Sequence, residues 1–218
     1  MIGDLGACAL AEVLTSSSRM KRLLLGRNHI GESGVEALAN ALSGHQGLVE
    51  LDLYKNWFEW GGMQIAASLR GNNVLESLDV SGNSLYIQGA EAFAAAVRVG
   101  GALKTLNMSD CYIGALGIKA IADLLRNNPR LKVLRISSNE VRDKGAQQIA
   151  ASLKDSVDLE NLDLSNNEIG NSGAEALAEN LPTTKKIPCT RTASYFLLAL
   201  CPSQMETERT GEVTSVAT

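Results

Sequence analysis

The amino-acid sequence predicts an α/β solenoid, in which each repeated unit contributes one short parallel strand and one helix. Three observations lead to this fold class. One spacing, LxxLxLxxN, recurs in steps of 28, 27, 28, 28 and 28 residues. Each unit combines the period of a strand with the period of a helix. The number of units exceeds the roughly three that a stacked array needs, because no unit can bury its apolar faces alone. The units begin at Met20, Leu48, Leu75, Leu103, Leu131 and Leu159.

The last unit, residues 159–181, shows the two elements most clearly. It has the sequence LENLDLSNNEIGNSGAEALAENL. Leu162 and Leu164 alternate with polar neighbours, as in a half-buried strand. The helix face repeats at i, i+3, i+4 and i+7 and consists of Ala174, Leu177, Ala178 and Leu181. Because packed helices need about 8–10 Å and neighbouring strands only about 4.8 Å, the array must curve with its strands on the inside.

The repeat pattern predicts an array over residues 1–182 and a non-repeat tail over residues 183–218. Residues 1–19 match the second half of a unit, with no strand before the helix. They predict either an N-terminal cap or, as the ordinary helix pattern favours, a truncated or alternative start. Residues 195–200, YFLLAL, are predicted to cover the open end of the last unit, and the polar remainder to be largely disordered. An aberrant or alternatively spliced end is a second interpretation of the tail.

The motif LxxLxLxxN, followed by a half of the form IGxxGAxALAxxL, resembles the leucine-rich repeat in its long, ribonuclease-inhibitor-like form. That form is also found in NOD-like receptors and in the Ran GTPase-activating protein. The resemblance covers residues 2–182. It implies a horseshoe with a parallel β-sheet on the concave face and α-helices on the convex face. It does not identify a partner, because proteins that share this repeat bind unrelated partners.

Two recurring positions are predicted to be structural. An asparagine follows each strand, where its amide can satisfy backbone groups at the turn. Cys111 replaces it in one unit, and we predict a buried turn residue there rather than a reactive thiol. A glycine recurs where the chain enters the helix, because a side chain would crowd the approach. These glycines are Gly34, Gly89, Gly117, Gly145 and Gly173.

The charge, cysteine content and hydropathy of the chain indicate which partners and which cellular compartment are expected. The net charge of −4 and the pI near 5.3 argue against binding to nucleic acid or an anionic membrane, because such surfaces are usually basic. The four cysteines contain no CxxC pair, which indicates a reducing compartment. The longest apolar run, residues 195–201, is shorter than the roughly 20 residues of a membrane span, and the N-terminal residues lack the basic start of a signal peptide. The sequence therefore predicts a cytoplasmic protein.

The residues between the strand leucines are predicted to face the hollow of the horseshoe, in columns that cross the units. The middle column carries three aspartates and one arginine. The concave positions assigned to partner binding are Glu50, Asp52, Asp79, Asn107, Arg135 and Asp163. Their acidity predicts a partner with a basic surface. A solvated sheet face also needs polar residues, so both interpretations stay open here.

Aromatic residues cluster where the second unit passes from its strand to its helix. Four of the nine aromatic residues lie in YKNWFEWGG, residues 54–62. Trp57 is expected beside His29 of the preceding unit, and Phe58 is expected in the core. Tryptophan and tyrosine are enriched in binding hot spots. Partner binding is therefore also assigned to Tyr54, Trp57, Trp60, Tyr86 and Tyr112. The alternative is that one tryptophan fills the space left by the residue missing from this unit.

The motifs in the sequence do not predict catalysis, a cofactor or a metal site. His29 and His45 have no nucleophile within predicted reach, and no phosphate-binding loop, HExxH or EF-hand spacing occurs. We predict a non-catalytic scaffold that binds another protein through the concave face and the strand-to-helix rim. The resemblance leaves two alternatives, which are a regulator of a small GTPase and the sensing fragment of a NOD-like receptor.

Overall fold

The structure is a computed structural model that describes residues 1–97, 101–128, 130–154, 156 and 158–180. Strands and helices alternate along this part of the chain. The helices are Gly3–Ser16 (α1), Glu32–Gly44 (α2), Gly61–Ser68 (α3), Tyr86–Val97 (α4), Gly114–Asn127 (α5), Arg142–Leu153 (α6) and Asn171–Asn180 (α7). The strands are Arg22–Leu24 (β1), Glu50–Asp52 (β2), Ser77–Asp79 (β3), Thr105–Asn107 (β4), Val133–Arg135 (β5) and Asn161–Asp163 (β6).

The strands form one parallel sheet in the chain order β1-β2-β3-β4-β5-β6. The central leucine of each strand lies opposite the central leucine of the next. These buried leucines are Leu23, Leu51, Leu78, Leu106, Leu134 and Leu162. Consecutive helices pack side by side, from α1 against α2 to α6 against α7. The predicted α/β solenoid is therefore confirmed. The sheet face formed by the first and third residue of each strand is called the concave face below.

One continuous hydrophobic core runs between the sheet and the helices. Phe58 is 1% exposed, so the prediction that it belongs to the core is confirmed. The recurring glycine allows neighbouring helices to approach closely. A β-carbon added at Gly34 would lie 2.9 Å from Cβ of Ala7, and one added at Gly173 would lie 2.9 Å from Cβ of Ala146. A side chain at either position would therefore push two helices apart.

Turn asparagines form a ladder that joins each unit to the one before it. Oδ1 of Asn139 accepts hydrogen bonds from the backbone N–H groups of Cys111 (3.1 Å) and Ile113 (3.2 Å). Its Nδ2 donates to the carbonyl oxygens of Met108 (2.8 Å) and Ser137 (3.1 Å). Other asparagines with such bonds are Asn56, Asn83 and Asn167. The amides thus satisfy buried backbone groups at the turns, which is the role the spacing predicts.

The thiol of Cys111 occupies the same turn position and is fully buried. Its Sγ donates to the carbonyl oxygens of Val80 (3.4 Å) and Ser109 (3.3 Å). Burial raises the pKa of the thiol to about 12, although the backbone N–H groups of Asn83 and Gly82 act in the opposite direction. The interpretation of Cys111 as a buried turn residue is confirmed.

We expect Cys111 in the folded protein to resist alkylation. The thiolate is the reactive form, and a pKa of about 12 instead of 9.0 lowers its fraction at about pH 8 roughly a thousandfold. Labelling becomes faster only as the pH rises towards this raised pKa. Iodoacetamide treatment followed by peptide mass spectrometry measures the effect, with the half-buried Cys8 as the reactive control. Equal labelling of both cysteines without denaturant would contradict the buried position.

The ends of the predicted array are a separate question. The tail over residues 183–218, with its apolar segment at 195–200, lies outside the described residues. The boundary at residue 182 and the interpretation of residues 1–19 therefore stay predictions. Among the helices of the described ranges, none has both the length and the hydropathy that a membrane span requires.

Candidate functional site

Exposed large apolar side chains fall in two places within the described part of the chain. One group lies on or beside α1 and β1 and consists of Met1, Ile2, Leu5, Val13 and Leu24. The other lies on the loops and first helical turns that follow β2, β3 and β4. This second group, called the rim patch, consists of Trp57, Trp60, Tyr86, Tyr112 and Leu116. Clusters of exposed apolar side chains, aromatic ones above all, are typical of interaction sites.

Trp57 lies on the ring of His29 from the preceding unit. The two ring centroids are 3.8 Å apart and the ring planes differ by 19°. The backbone N–H of Trp57 donates to the carbonyl oxygen of Ile30 at 2.8 Å, which holds the loop in place. The predicted contact between Trp57 and His29 is therefore confirmed. Because the stack supports one face of the indole and 66% of the residue is exposed, a fixed aromatic surface faces solvent.

A shallow pocket opens between Trp60 and Tyr86. Its lining residues are Glu59, Trp60, Met63, Leu85, Tyr86 and Gln88. Trp60 is 57% exposed and Tyr86 is 43% exposed. The ring centroid of Tyr112 lies 5.9 Å from that of Tyr86. Trp60, Tyr86 and Tyr112 therefore form a strip of aromatic surface that crosses three successive units.

Tyr54, also assigned to binding, lies on the concave face and outside the rim patch. Its ring covers Gly26, where an added β-carbon would lie 2.1 Å from Cδ1 of the tyrosine. The guanidinium carbon of Arg27 lies 5.4 Å from the ring centroid. Tyr54 is half-buried. The structure thus gives this ring a packing role, against a neighbouring backbone segment and a cation, that the repeat pattern did not indicate.

The middle column of the concave face is aligned as the spacing predicts. Asp52 lies opposite Asp79, and Asp79 lies opposite Asn107. Arg135 lies between Asn107 and Asp163. The register therefore places the assigned concave residues of this column in one continuous row across the sheet.

The acidic residues in this row also shape the ends of their strands. Oδ1 of Asp79 accepts hydrogen bonds from the Ser81 N–H at 2.9 Å and from the Ser81 hydroxyl at 2.6 Å. Asp52, Asn107 and Asp163 each accept from the N–H two residues further on, at 2.8, 3.1 and 3.0 Å. Aspartate and asparagine commonly form such turns. The recurrence of Asp and Asn in this row therefore has a structural reason as well. The sequence contained the signal for it, because Asp or Asn stands at the end of these strands.

Negative charge accumulates on the concave face at β2 and β3. Burial raises the pKa of the Asp52 carboxyl, the Tyr54 N–H partly offsets this, and the charges of Asp79 and Glu50 raise the pKa further. Glu50 also forms an ion pair with the exposed Arg22. A cation bound beside Asp52 would relieve the repulsion between the carboxylates. This electrostatic environment suits a partner with a basic surface.

Acidic side chains at the start of three helices hold the start of the next helix, an arrangement that the sequence pattern did not reveal. Oδ1 of Asp4 accepts from the N–H groups of Gly31 (2.6 Å) and Gly34 (3.2 Å). Asp143 holds the start of α7 in the same way. Glu32 accepts from three N–H groups at the start of α3. Each carboxylate also interacts favourably with the positive end of a helix dipole.

Glu59 has the same spacing, two residues before a helix glycine, but it does not hold the next helix. Tyr86 begins α4 with a φ of 52°, and its N–H donates to the carbonyl oxygen of Cys111 at 3.0 Å. Within the described residues, the carboxylate of Glu59 accepts no hydrogen bond and forms no ion pair. Glu59, which lines the pocket beside Trp60, therefore has a carboxylate with unused acceptor capacity.

Tyr86 has a left-handed backbone conformation that favours glycine. The corresponding residue of the next unit is Gly114, with a φ of 65°. This conformation costs a non-glycine residue about 1 kcal/mol or more. The same conformation recurs at Arg142, the corresponding residue of the unit that begins at Leu131, with a φ of 53°, so it belongs to this turn position rather than to Tyr86 alone.

We expect Tyr86→Gly to raise the free energy of unfolding by about 0.5–1 kcal/mol, because glycine adopts the positive φ without strain. Urea unfolding followed by circular dichroism measures the change. Trp60→Gly is the matched control, since Trp60 is also an exposed aromatic residue but has an ordinary φ of −71°. Its substitution should lower stability. A loss of similar size in both variants would contradict the strain at Tyr86.

Comparison with known sequences identifies the repeat. The sequence profile of the family described as Leucine Rich repeat matches residues 17–39, 71–94, 103–122, 127–150 and 156–178, which together exceed half of the chain. No curated protein matches the chain in sequence.

Several solved structures share this architecture at low sequence identity. Leiomodin-1 actin-binding site 2 is similar over 91% of this chain and 91% of its own, with a TM-score of 0.53 and 15% identity. The C-terminal domain of Caenorhabditis elegans tropomodulin is similar over 94% of this chain and 99% of its own, with a TM-score of 0.50 and 9% identity. An internalin from Listeria monocytogenes is similar over 88% of this chain and 48% of its own, with a TM-score of 0.50 and 21% identity. At these identities the similarity demonstrates a common fold.

Proposed function

Because the chain belongs to the leucine-rich repeat family, we propose that it is a non-catalytic module that binds a partner protein. The rim patch and the adjoining concave face form the binding surface in this proposal. The observation that carries it is the concentration of exposed aromatic side chains on one rim of three successive units. Repeat proteins commonly use continuous surfaces that cross several units to bind their partners.

The side chains of the rim patch are held in place before a partner binds, which favours tight binding. Trp57 is already held by its stack on His29, and Tyr86 contacts Tyr112. Ordering a mobile side chain on binding costs about 0.5–1.5 kcal/mol, and side chains that are already held avoid part of this cost. Aromatic residues that are fixed before binding are therefore suited to act as anchors.

The concave face supplies the electrostatic part of the proposed surface. The row that contains Asp52, Asp79 and Asp163 is acidic, with Arg135 as a local exception. A partner with lysine or arginine opposite these carboxylates would be attracted and oriented by them. We therefore propose a partner whose surface is basic where it meets the hollow.

A capture experiment with matched variants tests the proposal. The full chain and a Trp57→Ala/Trp60→Ala/Tyr86→Ala variant are immobilised, and proteins retained from the source-cell lysate are identified and their affinities measured. We expect the triple variant to bind the retained partner at least about 100-fold more weakly, because each hot-spot truncation costs about 2 kcal/mol or more.

The control for this experiment is Leu5→Ala/Val13→Ala, which removes exposed apolar side chains outside the rim patch. This double variant should retain the partner. Binding that survives in the triple variant, or that is lost equally in the control, would refute the rim patch as the site. Circular dichroism of each variant confirms that the helices are intact.

Actin is a reasonable first partner to test, because the similar leiomodin-1 structure is an actin-binding site. Monomeric actin can be applied to the same immobilised variants. Retention by the full chain and loss in the triple variant would identify actin as a partner. The two alternatives from sequence, GTPase regulation and a sensing role in a NOD-like receptor, stay predictions, as do the ribonuclease-inhibitor-like form and a cytoplasmic location. Acceleration of GTP hydrolysis by the chain would support the first of these alternatives.

A further inference from the structure

The pocket between Trp60 and Tyr86 combines three chemical features in a small space. Trp60 and Tyr86 supply aromatic surface, while Met63 supplies aliphatic surface above the buried Leu85. Glu59 supplies the one ionised group among the lining residues. An occupant that satisfies all of them has an aliphatic stem and a cationic end.

We propose that this pocket binds an arginine side chain of the partner protein. The inference rests on the proposed function, in that it assumes a protein partner, and it specifies the chemistry at one point of the rim patch. The methylene groups of arginine would lie on Met63. Its guanidinium would stack on Trp60 or Tyr86 and donate to the carboxylate of Glu59.

The comparison between units favours a cation at Glu59. Asp4, Glu32 and Asp143 share its spacing before a helix glycine, and all three use their carboxylates to accept backbone N–H groups. At Glu59 the corresponding N–H group, that of Tyr86, is bonded to Cys111 instead. The carboxylate therefore keeps its full capacity to accept hydrogen bonds from a ligand.

An apolar occupant fits less well, because it would cover the carboxylate of Glu59 without pairing it, and a charge without a partner is costly to bury. Lysine fits less well than arginine, because a compact ammonium group cannot stack on an indole or phenol ring as a planar guanidinium does. Charge complementarity and planarity together select arginine.

The two tryptophans provide separate signals for a test that does not need the partner. Indole N–H resonances of the full chain are recorded by NMR and assigned with Trp57→Phe and Trp60→Phe variants. The probes are Nα-acetyl-arginine methylamide and its neutral isostere, Nα-acetyl-citrulline methylamide. We expect the arginine probe to shift the Trp60 signal saturably in the millimolar range and to bind about tenfold more tightly than citrulline. The Trp57 signal should change little.

Glu59→Gln is the matched variant, since it removes the charge and keeps the shape. It should reduce the affinity for the arginine probe to that for citrulline. Equal binding of both probes to the unmodified chain, or no saturable shift of Trp60, would refute the proposal. If the arginine probe fails while the triple variant still loses the partner, only the arginine assignment is wrong. If the probe binds while partner capture survives in the triple variant, the proposed function is wrong.

Discussion

Asn139→Ala is expected to lower the free energy of unfolding by about 3–5 kcal/mol. The substitution leaves the buried N–H groups of Cys111 and Ile113 and the carbonyl oxygen of Met108 without their partner. The carbonyl oxygen of Ser137 keeps the N–H of Asp110 as a donor. A buried polar group without a partner costs about 1–3 kcal/mol, and water can reach little of this site, where Asn139 is 1% exposed. Urea unfolding followed by circular dichroism measures the loss.

Asn28→Ala is the matched control, because Asn28 occupies the same position at the first rung of the ladder. Its amide accepts one hydrogen bond from the Ile2 N–H at 3.3 Å and donates one to the Gly26 carbonyl oxygen at 3.2 Å. Asn28 is also partly exposed, so water can replace the lost bonds. We expect a loss of about 1 kcal/mol or less. Equal losses at the two positions would mean that the ladder does not stabilise the array through its buried bonds.

Leu106→Ala is expected to cost about 2–5 kcal/mol, because it leaves a cavity in the middle of the core. Leu106 is the central residue of β4 and is 0% exposed. It is flanked by the corresponding leucines of β3 and β5. Each neighbour is held in its own unit, so the cavity cannot close easily. The same denaturation experiment measures this loss.

Leu24→Ala provides the comparison within the same sheet. Leu24 ends β1, faces the concave side and is 55% exposed. Its truncation should change the free energy of unfolding by less than about 1 kcal/mol. If Leu24→Ala proved as destabilising as Leu106→Ala, the assignment of the two strand faces would be wrong.

The fold and much of the rim were predictable because the repeat is nearly regular. A constant spacing places equivalent residues side by side, so the strand register followed directly from the positions of the leucines. The same logic placed Trp57 beside His29. Cys111 was predictable as a buried turn residue because it replaces an asparagine whose position in the turn is the same in every unit.

The features that could not be predicted depend on which local contacts and hydrogen bonds individual side chains form. Tyr54 was assigned to binding from its residue type, but its ring packs on Gly26, a contact that depends on the small residue in the preceding unit. The aspartates of the concave row were assigned from charge alone, and their bonds to the following turn were not anticipated. Glu59 follows the spacing of Asp4 and Glu32, yet its carboxylate is not bonded, because the backbone at Tyr86 adopts a positive φ. A repeat pattern does not contain these local conformations.

Cys111 also has a mechanical consequence for the array. The amide of Asn139 accepts two backbone N–H groups from the preceding unit, whereas the thiol of Cys111 donates across its own junction to the carbonyl oxygen of Val80, and a thiol is a weak donor. The side-chain link between the units that begin at Leu75 and Leu103 is therefore weaker than the one that Asn139 makes. Tyr86 and Tyr112 lie on opposite sides of this junction and touch. A partner that contacts both rings would restrain the movement of these two units relative to each other. Occupation of the rim patch would then make the curved array more rigid.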